Sequence, residues 1–139
     1  MIQLLNPPKS RKCQRPKLYK VMNKQILIVD DEIEIVKILN RSLSRNGYTT
    51  FTAYSLNEAK NIFSENKVDI ILLDINLPDG SGLEELPHFK TEQKNCSVIL
   101  MSALDSKDIR MKALEKGALN FVSKPFSMQS ISHMIENIK

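Results

Sequence analysis

The chain has 139 residues, of which 42% are apolar, which is enough for one ordinary domain with a buried core. No apolar run approaches the roughly 20 residues of a membrane helix, and the N-terminus lacks a signal-peptide core, so we expect a cytoplasmic protein. The net charge of +4 is uneven, because residues 1–24 hold seven basic residues and no acidic ones. The remainder, with 13 basic and 16 acidic residues, is mildly acidic.

Residues 1–24 contain three prolines and no apolar periodicity, which predicts a basic, disordered N-terminal extension. Such a tail is either a solvated leader or a segment that binds nucleic acid or another acidic surface. Met22 directly precedes the first predicted strand, so a further hypothesis places the native start there. The folded domain is then expected over residues 25–139.

The first part of the domain alternates short apolar strands with amphipathic helices, as their residue periodicity indicates. The predicted elements are a strand at 26–29, a helix with Ile35, Leu39 and Leu43 on its apolar stripe and Gly47 as its stop, a strand at 48–53, and a helix that opens with the capping box 55–58 and buries Ala59, Ile62 and Phe63.

The alternation continues to the end of the chain. One helix contains Pro87, which removes a backbone donor and predicts a bend or a late start there. The predicted elements are a buried strand at 70–74, a helix from Gly82 to about Glu92, a strand at 97–101 ending at Ser102, a helix from Asp105 to Lys116 stopped by Gly117, a strand at 119–122, and a helix capped by Ser127 that carries Ile131, Met134, Ile135 and Ile138.

Five strand–helix repeats predict an α/β fold, in which a parallel sheet is covered by helices on both faces. The flavodoxin-like version of this doubly wound (βα)5 fold has a five-stranded sheet in the order 2-1-3-4-5, and that is the order we expect. The alternation alone does not fix it.

Polar residues follow four of the predicted strands, at the sheet edge where such folds bind ligands. They are Asp30 with Asp31, Asp74, Ser102 and Lys124. Three crowded carboxylates repel one another unless a cation neutralises them. Hard oxygen ligands suit Mg²⁺ (or Mn²⁺), and the lysine adds a fixed positive charge.

This set suits phosphoryl transfer to a carboxylate, because aspartate is a known nucleophile of aspartyl-phosphate chemistry. A metal and Lys124 would stabilise the charge on the phosphoryl oxygens, and the Ser102 hydroxyl would donate to one of them. Each piece alone has an ordinary explanation, since acidic residues often begin helices and Ser often ends strands.

Four motifs together resemble the receiver domain of two-component response regulators, in the manner of the chemotaxis regulators. They are IVDDE at 28–32, LLDINLPDGSG at 72–82, ILMSA at 99–103 and FVSKPF at 121–126. The resemblance runs from about Lys24 to Lys139, over the whole predicted domain.

The resemblance implies roles for the residues at the strand ends. Asp74 would be the phosphoacceptor, and Lys124 would be the lysine that assists catalysis. The metal would be held by Asp31, Asp74 and the backbone carbonyl of Asn76, and by Asp30 through water.

A conformational switch is also implied by the resemblance. Ser102 would move toward the phosphoryl group, and Phe121 would turn inward and alter the surface of the fourth helix, fifth strand and fifth helix. The Lys124–Pro125 bond is expected to be cis.

The implied function is phosphorylation-dependent signalling rather than catalysis on an outside substrate. The expected phosphodonors are a sensor histidine kinase, a phosphotransfer protein or a small molecule such as acetyl phosphate. The expected downstream partners are an output domain, a target protein or a second copy in a phosphorylation-dependent homodimer, with no membrane partner and no nucleic acid for the domain itself.

Three alternatives stay open at this point. A small phosphatase of the aspartyl-phosphate type would need a second acid where Asn76 stands. A receiver-like domain that no longer phosphorylates would serve only as an interaction module. The basic tail would make a nucleic-acid-binding protein.

The remaining candidates have ordinary interpretations. His88 and His133 stand alone and are predicted to be surface residues, and Cys13 and Cys96 form no metal or redox spacing and are predicted to be reduced thiols. Asp79, in the sequence Pro-Asp-Gly, is interpreted as a turn residue that shapes the loop over Asp74.

Overall fold

A five-stranded parallel sheet forms the centre of the chain in the computed structural model, which describes residues 24–138. The predicted extension and the Met22 hypothesis lie outside these residues, apart from residue 24. The elements are β1 (Gln25–Val29), α1 (Ile33–Arg45), β2 (Thr49–Ala53), α2 (Leu56–Glu65), β3 (Ile70–Asp74), β4 (Asn76–Leu77), β5 (Gly80–Ser81), α3 (Gly82–Glu92), β6 (Ser97–Ser102), α4 (Lys107–Glu115), β7 (Asn120–Ser123) and α5 (Met128–Glu136).

The order of the large sheet is β2-β1-β3-β6-β7, and its neighbouring strands are all parallel. This is the predicted order 2-1-3-4-5, because β4 and β5 are two-residue strands that form a separate antiparallel hairpin. The chain order reverses between β1 and β3, which is where doubly wound sheets bind ligands.

Alternate side chains of each strand enter two separate cores, which explains the layers. In β1, Ile26 and Ile28 pack with the helices α1 and α5, whereas Leu27 and Val29 pack with α2, α3 and α4. Strand β3 is buried along its whole length, as its run of Ile and Leu predicts. Two layers of helices therefore cover the sheet and leave its carboxyl edge for polar residues.

Helix α3 begins at Gly82 and contains Pro87, so of the bend or late start predicted at this proline, the late start does not occur. The Ser81 hydroxyl accepts a hydrogen bond from the backbone N–H of Glu84 at 3.4 Å and begins the helix. Leu86 and Phe89, on either side of the proline, are fully buried. Their packing stabilises a helix that has lost one backbone donor.

Helix α4 begins at Lys107, two residues later than predicted. Ser106 is its cap and accepts a hydrogen bond from the N–H of Ile109 at 3.2 Å. Asp105 instead directs its carboxylate to Arg110 and lies outside the helix. The β4–β5 hairpin was not predicted as strands, because two-residue strands carry no periodicity.

Within residues 24–138, no helix is long and apolar enough to cross a membrane.

Candidate functional site

Two buried carboxylates lie side by side at the carboxyl edge of the sheet. Asp30 follows β1 and Asp74 ends β3, and the parallel register pairs Val29 with Leu73 immediately before them. Asp30 is fully buried and Asp74 is 4% exposed. The Asp30 backbone N–H donates to the carbonyl oxygen of Ala53 at 3.1 Å, which extends the β1–β2 pairing to the site.

Asp31 brings a third carboxylate to the rim of this pocket. One oxygen from each of Asp30, Asp31 and Asp74 lies within 4.8 Å of the others. Oδ1 of Asp30 accepts a hydrogen bond from the N–H of Glu32 at 2.9 Å, but its buried Oδ2 has no partner with hydrogen-bond geometry. The three carboxylates repel one another, and their hard oxygen atoms could hold a metal ion.

Lys124 carries the positive charge of the site. Its Nζ lies 2.8 Å from Asp30 Oδ2, 2.8 Å from Glu32 Oε1 and 3.4 Å from Asp74 Oδ2. The contact with Asp30 is an ion pair whose angles do not suit a hydrogen bond, whereas Glu32 accepts one. The backbone N–H of Lys124 donates to the carbonyl of Ser102 at 2.8 Å, which fixes the lysine beside β6.

The charges shift the pKa values of both partners. Burial and, after it, the negative charge of Asp30 raise the pKa of Asp74, whereas Lys124 lowers it, and the net pKa is about 7. Burial lowers the pKa of Lys124, but the carboxylates of Asp30 and Glu32 outweigh burial and hold that pKa above its usual value. The pocket therefore has a permanent cation and a carboxylate that is hard to ionise without more positive charge.

Ser102 ends β6 beside the pocket and is 1% exposed. Its hydroxyl oxygen accepts a hydrogen bond from the backbone N–H of Leu104 at 2.9 Å. Accepting that bond leaves the hydroxyl proton available as a donor. The next loop, which begins with exposed residues Ala103 and Leu104, is thus tied to this hydroxyl.

Phe121, in β7, is 8% exposed, so its ring faces inward. The Arg110 guanidinium lies 4.8 Å from the ring centroid. Arg110 is held in turn by Asp105, which accepts from Nε at 2.6 Å and from the terminal nitrogen at 2.8 Å, and Ser123 also donates to Asp105. These hydrogen bonds, that of Arg110 first, lower the pKa of Asp105 to about 2.

The β4–β5 hairpin begins with Asn76, two residues after Asp74. At its tip, Asp79 accepts from the backbone N–H groups of Leu56 at 2.8 Å and Asn57 at 2.9 Å. Asp79 therefore does more than form a turn, because it joins the hairpin to the start of α2. At the foot of the hairpin, a Cβ on Gly82 would lie 2.2 Å from the carbonyl oxygen of Asp74.

The structure brings the predicted residues Asp30, Asp31, Asp74, Ser102 and Lys124 to one edge of the sheet. The Lys124–Pro125 bond is cis, as expected.

Other candidates stay away from this edge. His88 and His133 are exposed, as predicted, and the nearest acid to His88 is Glu92 at 3.4 Å. Cys96 is a buried free thiol whose pKa burial raises to about 12, and Cys13 lies outside the described residues. Neither histidine contributes to the pocket, and neither does Cys96.

Sequence reasoning missed the contacts of Glu32, Asp79 and Arg110. The only signal for Glu32 was its place in the run IVDDE. Asp79 and Arg110 gave none, because their partners depend on how loops distant in the chain meet.

The fold and the site together define a class of protein. It has a doubly wound α/β sheet, with a pocket of carboxylates and a lysine at the point where the strand order reverses. A sequence model of the response regulator receiver domain matches residues 26–136. The chain is 35% identical over 116 residues to sporulation initiation phosphotransferase F of Bacillus subtilis (strain 168), a match that covers 84% of this chain and 94% of that protein.

Two further proteins are similar to this chain. Alkaline phosphatase synthesis transcriptional regulatory protein PhoP of Bacillus subtilis (strain 168) is 34% identical over 117 residues; the match covers 84% of this chain and 49% of PhoP, so the chain spans about half of that relative. The crystal structure of the CheX–CheY–BeF3–Mg²⁺ complex from Borrelia burgdorferi aligns at 30% identity with a TM-score of 0.78, over 84% of this chain and 90% of that chain.

The chain belongs to the response regulator receiver domain family. Receiver domains are signalling modules of two-component systems, and phosphotransfer from a histidine kinase is their standard role.

Proposed function

We propose that Asp74 is the residue of this receiver domain that accepts the phosphoryl group. The observation that supports it most directly is the placement of Lys124, whose Nζ bridges Asp30 at 2.8 Å and Asp74 at 3.4 Å. Asp74 ends the central strand, so its carboxylate has a rigid backbone and a cation beside it. These are the requirements of an oriented nucleophile that attacks a negatively charged group.

The transfer forms one bond and breaks one. An oxygen of the Asp74 carboxylate attacks phosphorus, the N–P bond of a phosphohistidine breaks, and the electron pair returns to the imidazole, which takes up a proton. Lys124 stabilises the phosphoryl oxygens, and the Ser102 hydroxyl donates to one of them. The same groups would assist attack by water on the phosphorus of the acyl phosphate, which breaks the bond to the Asp74 oxygen, releases inorganic phosphate and returns Asp74 to its carboxylate.

The metal that suits this pocket is Mg²⁺, with Mn²⁺ as a substitute. We assign Asp31, Asp74 and the backbone carbonyl of Asn76 as direct ligands, and Asp30 as a ligand through water. The three clustered carboxylates, which offer one oxygen each within 4.8 Å of the others, support this assignment. A bound divalent cation supplies positive charge for the phosphoryl oxygens and offsets the repulsion between the carboxylates.

Ser102 and Phe121 are the proposed switch residues. Ser102 gives up its hydrogen bond from Leu104 when its hydroxyl turns to the phosphoryl group, and the loop between β6 and α4 moves with it. The Phe121 ring lies beneath α4 and changes the surface of α4, β7 and α5 as that loop moves. Since Phe121 has no hydroxyl, it responds through packing alone.

The phosphodonor protein is proposed to dock beside Lys124, where an apolar groove opens. The groove has a volume of about 140 Å³ and is lined by Ile35, Ile38, Pro125, Phe126 and Met128, with Lys124 at its end. A sensor histidine kinase or a phosphotransfer protein could bring its phosphohistidine over Asp74 from this side. An output domain, a separate target or a second copy of the chain would read the surface of α4, β7 and α5.

The phosphoaccepting unit is proposed to be residues 25–139, with residues 1–24 as a separate extension. The range of the family match, 26–136, supports this boundary. The chain is proposed to catalyse only its own phosphorylation and dephosphorylation.

The test is the intact mass of the protein after incubation with acetyl phosphate and Mg²⁺. We expect a gain of one phosphoryl group in the wild type and in Asp108→Asn, a control that removes an exposed carboxylate of α4. Asp74→Asn, and wild type with EDTA, should show no gain.

A gain in Asp74→Asn would overturn the assignment of the phosphoacceptor. No gain in the wild type would call for beryllofluoride, which mimics the phosphoryl group without chemistry. Binding of beryllofluoride with Mg²⁺ would support a pocket that requires a protein donor, whereas no binding would favour the alternative of a receiver-like interaction module.

A further inference from the structure

Asp79 joins the tip of the β4–β5 hairpin to the start of α2. Its two carboxylate oxygens accept from the first two backbone N–H groups of α2, at 2.8 Å from Leu56 and 2.9 Å from Asn57. The first turn of a helix has no partners of its own for these N–H groups, and side chains usually supply them from within the same turn. Here a residue more than twenty positions later supplies them.

The hairpin that carries Asp79 is short and fastened at both ends. At its foot, Gly82 N–H donates to the carbonyl oxygen of Ile75 at 2.8 Å. Between foot and tip, Asn76 pairs with Ser81 and Leu77 pairs with Gly80. The Asn76 peptide is therefore part of a hairpin that is held at its foot by these contacts and at its tip by Asp79.

The tip also packs closely on α2. A Cβ on Gly80 would lie 2.9 Å from Cδ1 of Leu56, so hairpin and helix are in direct contact. Leu56 and Leu77 belong to the same buried core and are 4% and 9% exposed. The carboxylate of Asp79 thus fixes an interface that is already closely packed.

We propose that Asp79 is a positioning residue, which orients the Asn76 carbonyl toward the metal by holding the β4–β5 hairpin on the start of α2. This inference rests on the proposed function, in which that carbonyl is a metal ligand. A ligand oriented by its surroundings binds metal more tightly than one that must be ordered, because the ordering is already complete. Asp79 itself does not touch the metal or the phosphoryl group.

Metal binding and the contact between Asp79 and α2 should be coupled in both directions. If the contact between Asp79 and α2 strengthens metal binding, then metal binding must strengthen that contact by the same factor. The backbone N–H groups of Leu56 and Asn57 should therefore exchange with solvent more slowly when Mg²⁺ is bound, although they belong to a helix outside the pocket.

The experiment compares Asp79→Ala, Asp79→Asn and Ser55→Ala with the wild type. Ser55 is a matched control, because its hydroxyl accepts from the N–H of Glu58 at 3.2 Å and caps the same helix without touching the hairpin. Two quantities are measured on the metal-free protein titrated with MgCl₂: the dissociation constant by calorimetry, and amide exchange at Leu56 and Asn57 by NMR.

We expect Asp79→Ala to bind Mg²⁺ about tenfold more weakly and to lose the metal-dependent protection of both amides. Asp79→Asn keeps one acceptor oxygen, so its affinity for Mg²⁺ should lie between those of the wild type and Asp79→Ala. Ser55→Ala should bind Mg²⁺ as the wild type does, even though its helix is less stable.

Equal affinities in the wild type and Asp79→Ala would overturn the inference. So would an equal loss in Asp79→Ala and Ser55→Ala, because the effect would then come from the stability of α2. A wild type that binds no Mg²⁺ would instead overturn the proposed metal site, and this inference with it.

Discussion

The Arg110 guanidinium lies over the Phe121 ring, 4.8 Å from its centroid, and donates two hydrogen bonds to Asp105. Asp105 belongs to the loop that follows Ser102, and Arg110 belongs to α4. A movement of that loop must therefore move the cation that covers the ring. The side chains of Asp105 and Arg110 thus connect the two proposed switch residues, Ser102 and Phe121.

Arg110→Ala should free the Phe121 ring while leaving the pocket intact. Without the guanidinium the ring loses a cation–π contact and becomes more mobile. The aromatic NMR signals of Phe121 should report faster ring reorientation in the metal-free state. Lys107→Ala, on the same helix, is the charge-matched control and should leave those signals unchanged; equal ring dynamics in all three proteins would contradict the role of Arg110.

The stability of the metal-free protein should depend on pH through Asp74. Its pKa is raised to about 7, so between about pH 4 and pH 7 the folded chain holds a proton that the unfolded chain has lost. The contribution of Asp74 to stability is thus fully present below about pH 4 and is lost as pH rises through about 7.

Asp74→Asn should remove this dependence. Relative to the wild type, the variant should gain on the order of 2 kcal/mol between about pH 4 and pH 8 in urea unfolding. Asp108→Asn should follow the wild-type profile. A wild-type profile that rises over this window relative to Asp74→Asn would show that Asp74 is ionised readily in the folded protein.

Lys124→Met should slow phosphorylation by acetyl phosphate by about 100-fold, the order of effect seen when one preorganised charge donor is lost. The variant also removes the group that lowers the pKa of Asp74, so its residual rate should require a higher pH. Rates are measured by intact mass at saturating Mg²⁺, beside Lys112→Met, an exposed lysine of α4. An unchanged rate in Lys124→Met would place the essential cation elsewhere.

Gly82→Ala and Gly117→Ala should both lower the free energy of unfolding, but for different physical reasons. Gly82 has no space, because its Cβ would lie 2.2 Å from the Asp74 carbonyl oxygen, and relieving this clash should cost about 2 kcal/mol or more. Gly117 has space but a left-handed φ of 108°, which should cost about 1 kcal/mol. Urea unfolding measures both, and only the first should also weaken Mg²⁺ binding.

Ile38→Glu should separate protein donors from small ones. Ile38 is 53% exposed beside the groove at Lys124, so a charge there should weaken docking of a phosphohistidine protein that phosphorylates the wild type. Phosphorylation by acetyl phosphate should not change. Leu114→Glu, 64% exposed on α4, is the control that should leave both reactions at the wild-type rate.

The strands, the helices and the polar residues that end the strands could be predicted from local patterns, whereas the strand order was expected only from the flavodoxin-like version of the fold. Runs such as that of β3 are buried on both faces, and parallel strands place their carboxyl ends together, so Asp30, Asp74 and Lys124 were expected to be neighbours. The predicted ends of the helices and strands were less accurate. Asp105 was predicted to begin α4, but its carboxylate is used by Arg110 and Ser123 instead.

The contacts that sequence reasoning missed join loops that no periodicity connects. Asp79 looked like a turn residue, and nothing in its neighbours indicates that α2 offers its N–H groups to it. Glu32 reaches Lys124 across 92 positions of the chain. Such pairs depend on the positions that loops take relative to the sheet, and patterns of apolar residues do not determine these positions.

That long separation has a consequence for biosynthesis. A ribosome releases the carboxylates of β1 and β3 well before it releases Lys124, which forms its ion pairs only after β7 has joined β6. Until then the acidic edge lacks Lys124, because β7 is the last of the five sheet strands along the described residues. If Asp74 is the phosphoacceptor, a chain that ends before β7 should not accept phosphoryl groups from a kinase.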